Sequence, residues 1–253
     1  MLPEERRSEV VNLINERHGC SVEELAASLD VSEATIRRDL RELEEKNLIR
    51  RTHGGAMPAV DQPRPYDRRA VRNREGKEAI AQRAATEVHR DQIVCFDSGT
   101  TTMPIVDHIP DDRDVVAVTN GALNALKLVE SEFQVYLVGG MFWSDDNGLA
   151  GSWAEERIGN MNFDLLFLSP GGVDSEGLTT RNPRQSGVRR RMIESSRRVV
   201  LVADRNKFNE DHFVKFADPG DVDVLMTDGT VPEDIRESFE AADVNLVENL
   251  GDV

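Results

Sequence analysis

Two short stretches carry side chains spaced for chemistry. The first is EATIRRDLREL, residues 33–43, which places Arg37, Arg38 and Arg41 within five positions. Guanidinium groups gathered on one helical face recognise planar acceptors such as guanine edges and phosphates. The second is DSGTTT, residues 97–102, with one carboxylate, one glycine and four hydroxyls directly after the apolar run QIVCF. A glycine and successive hydroxyls at a strand-to-helix turn offer backbone N–H groups and side-chain donors to a small anion, helped by the helix dipole. Both stretches point to phosphate chemistry, one polymeric and one small.

Their setting is acidic. The 253 residues carry 47 Asp and Glu against 31 Lys and Arg, a formal net charge of −16. Only five of the basic residues are lysine: Lys46, Lys77, Lys127, Lys207 and Lys215. Abundant carboxylate with scarce lysine fits a protein adapted to molar salt, where screening removes most self-repulsion. An acidic protein from a GC-rich genome is the plainer alternative. The charge is uneven: residues 1–78 are net −1, and residues 79–253 are net −15. Residues 1–78 hold 16 acidic and 15 basic side chains, and balancing the acid with cations at one end is what approach to a polyanion requires.

Residues 1–9 are polar and lack the apolar core of a signal peptide, and no apolar run approaches the ~20 residues of a membrane span. A cytoplasmic protein is expected. Cys20 and Cys95 read more simply as two buried thiols than as a disulfide. His18, His53, His89, His108 and His212 form no ligand set beyond His18-x-Cys20, so neither metal nor cofactor is expected.

The elements that must position the arginines come first. Val10, Leu13 and Ile14 give a helix over roughly residues 3–18, ended by Gly19. Ser21 with Glu24 forms a capping-box pattern for a second helix, whose apolar face is Val22, Leu25, Ala26 and Leu29. Ser32 caps a third, with Val31 and Ile36 as a hydrophobic staple. On it Ile36, Leu40 and Leu43 form one stripe. At roughly 100° per residue, Ala34, Arg38 and Arg41 fall opposite that stripe, with Thr35 and Arg37 on its flanks. Ser32, Ala34, Thr35, Arg37, Arg38 and Arg41 are therefore the expected DNA-facing set of a helix-turn-helix. NLIRRTHGGA then supplies a strand and a Gly54-Gly55 turn, so Arg50, Arg51 and His53 are expected on a wing over the phosphate backbone.

VSEATIRRDLRELEEKNLIRRTHGGA resembles the amino-terminal signature of the DeoR-type family of sugar-responsive transcriptional repressors. The resemblance implies a winged helix-turn-helix over residues 1–57 that binds double-stranded operator DNA.

Residues 58–75 hold Pro58, Pro63 and Pro65 and read as an extended connector leading into a helix. Its arginines Arg64, Arg68, Arg69, Arg72 and Arg74 suit either DNA or salt bridges to an acidic domain. Across residues 76–253, apolar runs recur at 92–96, 114–119, 133–138, 164–169, 199–203, 222–227 and 244–247, with helical patterns at 121–130, 184–197 and 232–242. That alternation predicts an α/β domain with a mostly parallel sheet covered on both faces, and ligands bind such sheets at the carboxyl ends of the strands. Asp97, Gly99, Thr100, Thr101, Asn120, Gly139, Gly140, Gly171, Gly172, Asp204 and Lys207 all follow strands.

The resemblance continues through FDSGTTT, VTN, VGG, FDLLFLSPGGVDSEGLTT and ADRNKF, which look like the family's sugar-phosphate-sensing domain, similar in fold to sugar-phosphate isomerases. It implies that Asp97, Gly99, Thr100 and Thr101 line the phosphate end of an effector, with Asn120, Gly139, Gly140, Asp174 and Lys207 near the rest. Glycerol, fructose and deoxyribose phosphates remain open. Two departures stand out: Gln185 where many relatives carry glutamate, and KFN at 207–209 where KFG is usual. The expected protein is a regulator, most simply a repressor, acting as a dimer or tetramer and released from DNA by a phosphorylated sugar or polyol. The alternative is a sugar-phosphate isomerase carrying a DNA-binding head, with Asp97, Asp174 or Asp204 as its base.

Overall fold

The computed structural model describes residues 3–16, 19–29, 31–45, 49–52, 54–58 and 65–251. The chain divides into two compact units, which meet in sequence between Arg64 and Pro65.

The first unit is three helices and a small sheet. Helix α1 (Pro3–Glu16), strand β1 (Cys20–Ser21), helices α2 (Val22–Leu29) and α3 (Glu33–Glu45), and strands β2 (Ile49–Arg51) and β3 (Gly55–Pro58) follow in order. The capping box forms as its spacing predicts: Ser21 N donates to Glu24 Oε2 at 2.7 Å and Glu24 N donates to Ser21 Oγ at 3.1 Å. Ser32 Oγ accepts from Thr35 N at 3.2 Å and opens α3. Ile36, Leu40 and Leu43 are buried against Val10, Ile14 and Leu25, with Val31 packed on the same core. Burying each such side chain contributes about 2 kcal/mol. Strands β2 and β3 pair antiparallel as a hairpin, and β1 joins on the far side of β3. A Cβ on Gly55 would lie 2.1 Å from the Cys20 carbonyl oxygen, so only glycine lets β1 and β3 close.

One feature of α3 is not legible as a stripe. Asp39 lies inward, 2% exposed. Arg6 of α1 meets it through Nε at 2.6 Å and Nη2 at 3.1 Å. The pair ties α1 to α3 and fixes the rotation of α3 about its axis.

The second unit begins with helices α4 (Pro65–Val71) and α5 (Arg74–Ala85). Residues 65–71, expected within an extended connector, are therefore helical. Pro65 suits a first helical position, and Tyr66 is buried with its hydroxyl donating to Met103 Sδ at 3.5 Å. Burial pushes the Tyr66 hydroxyl up to about 12. There follow β4 (Ile93–Phe96), β5 (Val116–Thr119), α6 (Ala122–Glu130), β6 (Gln134–Leu137), β7 (Met141–Trp143), β8 (Gly148–Ala150), α7 (Ser152–Gly159) and β9 (Leu165–Leu168). The chain continues through β10 (Gly172–Asp174), β11 (Gly177–Thr180), α8 (Pro183–Glu194), β12 (Val199–Val202), β13 (Val214–Ala217), β14 (Val224–Met226), α9 (Glu233–Ala241) and β15 (Asn245–Val247).

Seven strands form one parallel sheet in the order β15-β14-β12-β9-β4-β5-β6, one for each of the seven apolar runs. Both faces are covered. Leu165, Phe167, Val200 and Val202 pack with α5 and α6, while Leu166, Leu168, Val199 and Leu201 pack with α7, α8 and α9. Strand order reverses at the β4–β9 junction, the switch point where such sheets leave a crevice. Two small antiparallel sheets, β10-β11-β13 and β7-β8, lie outside this frame. Their strands are only three or four residues long, too short for an apolar pattern to announce them. DSGTTT leads into a six-residue 3-10 helix, Met103–His108, rather than an α-helix, with Pro104 in its first turn. The expected help from a helix dipole is correspondingly small.

Replacing Arg6 by alanine strands a buried carboxylate. The expected outcome is about 2 kcal/mol lost from the first unit, read as a lower urea midpoint, with the second unit's transition unmoved.

Candidate functional site

The outward face of α3 is polar and cationic. Ser32, Ala34, Arg37, Arg38 and Arg41 are exposed and Thr35 is half-exposed, its Oγ1 lying 2.9 Å from Ser32 Oγ. Arg37 is engaged by Glu33 at 2.7 Å, one turn back. Arg38 and Arg41 make no hydrogen bond or ion pair among the described residues. On the wing, Arg51 is exposed with Glu44 at 3.8 Å. The Arg50 side chain and His53 lie outside the described residues. Small side chains at the leading turn with two open guanidinium forks behind them suit groove insertion, and a partner-seeking wing arginine suits the phosphate flank.

In the second unit, a cleft of about 160 Å³ opens at the carboxyl ends of β4, β9 and β12. Gly99 and Thr100 form one wall, Ser169 to Gly171 another and Asp204 to Lys207 a third, with Thr180, Arg181, Arg189 and His212 beside them. Arg69 and Arg72 of the α4 region and Lys77 of α5 complete it. Six Lys and Arg residues therefore face three carboxylates, Asp146, Asp204 and Glu210, inside the half of the chain that carries nearly all the net negative charge. Two of the five lysines, Lys77 and Lys207, are here. Such a reversal of local sign creates a site for an anion.

The DSGTTT loop is built to approach it. A Cβ on Gly99 would lie 2.4 Å from Ser169 Cβ, so the loop passes the end of β9 only as glycine. Thr102 Oγ1 donates to the carbonyls of Asp97 at 2.6 Å and Gly99 at 2.8 Å and pins the turn. The backbone N–H groups of Gly99, Thr100 and Thr101 donate to no acceptor among the described residues. Thr100 Oγ1 accepts from Lys77 Nζ at 3.2 Å, and Lys77 also donates to the Arg69 carbonyl. Burial holds the Lys77 ammonium below the usual lysine range, with Asp204 opposing the shift. Lys207 donates to the Gly171 carbonyl at 3.4 Å. Its pKa falls to about 8, chiefly through desolvation; Arg69, Lys77 and Arg189 add to the shift and Asp204 opposes it.

The residues expected for the effector separate into groups. Gly99, Thr100 and Lys207 line the cleft. Asp97 lies beneath it, fully buried, with Oδ2 3.2 Å from Arg189 Nη2 and accepting from Ser169 N at 3.3 Å. It holds the Arg189 guanidinium in place, and Arg189 Nη1 donates on to Thr180 Oγ1 at 2.9 Å. Thr101 and Asn120 are buried behind the loop; Asn120 Oδ1 accepts from Ser98 N at 2.9 Å and Nδ2 donates to Gln185 Oε1 at 3.2 Å. Gly139 and Gly140 stand beside β7, with Gly140 at φ 133° against the Ala150 carbonyl. Neither lines the cleft. Asp174 also lies elsewhere: it closes the β10–β11 hairpin, accepting from Glu176 N at 2.7 Å and Gly177 N at 3.0 Å.

Behind the loop lies a cluster of buried polar groups. Ser98 Oγ, Thr101 Oγ1, Asn124 Oδ1, Asn147 Nδ2 and Gln185 Nε2 are five of the six buried side-chain polar atoms without a partner among the described residues. Gly148 abuts it: a Cβ there would lie 2.4 Å from Gln185 Nε2 and 2.8 Å from Ser98 Oγ. Unpaired buried groups are costly, so their concentration marks a place completed by water or by ligand hydroxyls.

Sequence reasoning missed Arg69, Arg72, Lys77, Arg181, Arg189 and His212. The scarcity of lysine was the available signal for Lys77. Arg69 and Arg72 were weighed only for DNA or an acidic surface, and they reach Asp146 at 3.1 Å and Asn206 at 3.1 Å. No group of three or more His, Cys, Asp or Glu able to hold a metal occurs among the described residues, and no described helix is long and apolar enough to cross a membrane.

A winged helix-turn-helix beside an α/β unit with an anion cleft defines a ligand-responsive DNA-binding regulator. Residues 6–60 match the DeoR-like helix-turn-helix domain and residues 72–229 match the DeoR C terminal sensor domain. The chain is 44% identical to the HTH-type transcriptional regulator GlpR of Haloferax volcanii over 253 residues, covering 99% of each. It is 32% identical to the glycerol-3-phosphate regulon repressor of Escherichia coli, covering 92% of this chain and 94% of that one. The chain belongs to the DeoR family of transcriptional regulators. The acid-rich, lysine-poor composition expected of a halophilic protein accords with the Haloferax relative. A solved ribose 5 phosphate isomerase A from Neisseria gonorrhoeae aligns over 52% of each chain at 12% identity with a TM-score of 0.39.

Lys207 gives the cleft a pH signature. Above about 8 the lysine is largely neutral and binding that needs the ammonium takes up a proton from solvent, so phosphate affinity is expected to fall by up to about tenfold per pH unit there. Calorimetric titration with inorganic phosphate at about pH 7 and about pH 9 measures it. In Lys207→Met, affinity at the lower pH drops and this alkaline dependence disappears.

Proposed function

We propose that the protein is a repressor of sugar or glycerol metabolism genes that binds operator DNA as a homo-oligomer and leaves it when a phosphorylated sugar or polyol fills the cleft. The observation that carries this is the cluster of Arg69, Arg72, Lys77, Arg181, Arg189 and Lys207 in an otherwise acidic unit. A phosphate takes the open N–H groups of Gly99, Thr100 and Thr101 together with Lys77 and Lys207. The name of the Escherichia relative, a glycerol-3-phosphate regulon repressor, favours glycerol 3-phosphate among the candidates. The unpartnered polar atoms of Ser98, Asn124 and Gln185 behind the loop suit the hydroxyl end of such a molecule.

The carboxylates weighed as isomerase bases are already committed, which supports a sensor over an enzyme. Asp97 is bound by Arg189 and Ser169 N, Asp174 closes a hairpin, and Asp204 Oδ1 accepts from Asn206 N at 3.1 Å and Asn206 Nδ2 at 2.8 Å. For the switch to work, the effector must bind the DNA-free state more tightly than the DNA-bound one.

On DNA, Arg38 reads bases and Arg51 steadies the phosphate backbone. Arg38→Ala is expected to lose about 1–3 kcal/mol on operator with little loss on random duplex, whereas Arg51→Ala weakens both alike. Fluorescence anisotropy on the two duplexes separates these outcomes, and equal losses for Arg38→Ala overturn its assignment. Adding glycerol 3-phosphate should release wild-type protein from operator. With Gln185→Ala, about tenfold more is required, while affinity for inorganic phosphate is unchanged.

A further inference from the structure

Strand β6 is an end strand of the seven-stranded sheet: it pairs with β5 on one side and with nothing on the other among the described residues. An open edge usually carries lysine, proline, a bulge or a covering element, because its unpaired N–H and C=O groups recruit other chains. Gln134–Leu137 carries none of these side chains.

The surface around that edge is apolar. Of the eleven large apolar side chains exposed among the described residues, seven fall within 123–142. They include Leu126 and Val129 on α6, Tyr136 and Leu137 on β6, and Met141 and Phe142 on β7. With roughly 100 Å² of each left to solvent, plus the strand backbone, the face offers on the order of 800 Å², one partner's share of a standard interface. Charge singles out its occupant. Residues 121–143 contain three charged side chains, Lys127, Glu130 and Glu132, in a chain that is 31% charged. Lys127 is neutralised by Asp107 at 2.7 Å. In dilute salt, two copies of a chain with net charge −16 repel each other over most of their surface, and this is where they can meet with least of that cost. An edge strand is also self-complementary across a two-fold axis, which makes the contact isologous.

We propose that α6, β6 and β7 form the interface through which two copies of this chain associate, β6 antiparallel to the partner's β6. The operator-binding reading explains why two copies are useful, since paired modules read symmetric half-sites; the face itself stands on its own chemistry.

Sedimentation equilibrium of the full chain at micromolar concentration tests this with Tyr136→Lys and Leu126→Glu, and with Phe213→Glu as control, because Phe213 is 83% exposed elsewhere. Wild type and Phe213→Glu are expected to be dimers or even-numbered assemblies. Tyr136→Lys and Leu126→Glu should fall to half that mass with unchanged circular dichroism, the dissociation constant rising at least about a hundredfold. Should either charged variant fail to fold, Tyr136→Cys with a short bismaleimide replaces it, since Cys20 and Cys95 are buried. Cross-linked dimers from Tyr136→Cys but not from Phe213→Cys support the interface. A monomeric wild type, charged variants of undiminished mass, or cross-linking at position 213 alone overturns it. Binding to duplexes with one and with two half-sites separates the two readings. Half-mass variants should keep the single-site affinity and lose the two-site gain. A dimer through this face with no DNA affinity would instead remove the operator-binding function and leave the interface standing.

Discussion

The ligand cleft depends on one buried ion pair. Arg189 of α8 is 7% exposed and Asp97, at the end of β4, is fully buried. A guanidinium so withdrawn from water is tolerable only with a carboxylate beside it, and the same carboxylate caps the passing backbone of Ser169. Through that contact the central strands β4 and β9 and the helix behind them hold one geometry. The remaining cations, Lys77 and Lys207 above all, are then crowded around a cavity that none of them neutralises. Their lowered pKa values express the same crowding: each ammonium is withdrawn from water beside other cations.

The two units answer opposite electrostatic demands. The amino-terminal unit presents the exposed arginines Arg38 and Arg41 on the outward face of α3. The carboxyl-terminal unit is acidic overall and gathers six cations around one cleft. In concentrated salt, ion release contributes little to DNA affinity. Shape-matched guanidinium contacts and pairing of modules must then supply what general attraction supplies to other DNA-binding proteins.

Much of this was legible in the chain. The apolar stripe of Ile36, Leu40 and Leu43 fixed which side of α3 faces out, and seven apolar runs became seven parallel strands, because periodicity reports burial directly. The inward Asp39 was not legible: it interrupts no stripe, and its partner Arg6 lies on another helix. Residues 65–71 looked like a connector because proline and arginine dominate them, yet buried Tyr66 decides their state. The cleft was half legible. Gly99, Thr100 and Lys207 follow strands and obey the rule for strand ends. Arg69, Lys77 and Arg189 arrive from helices distant in sequence, and only the fold shows that these approach the same point. Asp174 followed a strand too, but a short antiparallel one whose turn it closes.

The sheet order has a consequence for how the protein comes into being. Its central pair joins Val94 to Leu165, so β4 waits unpaired on that side until some seventy further residues have been made. The winged unit needs nothing beyond its own helices and hairpin and can fold while the rest is still being translated. A nascent chain therefore owns its DNA-reading surface before it owns a sensor. Throughout that interval it is deaf to any metabolite.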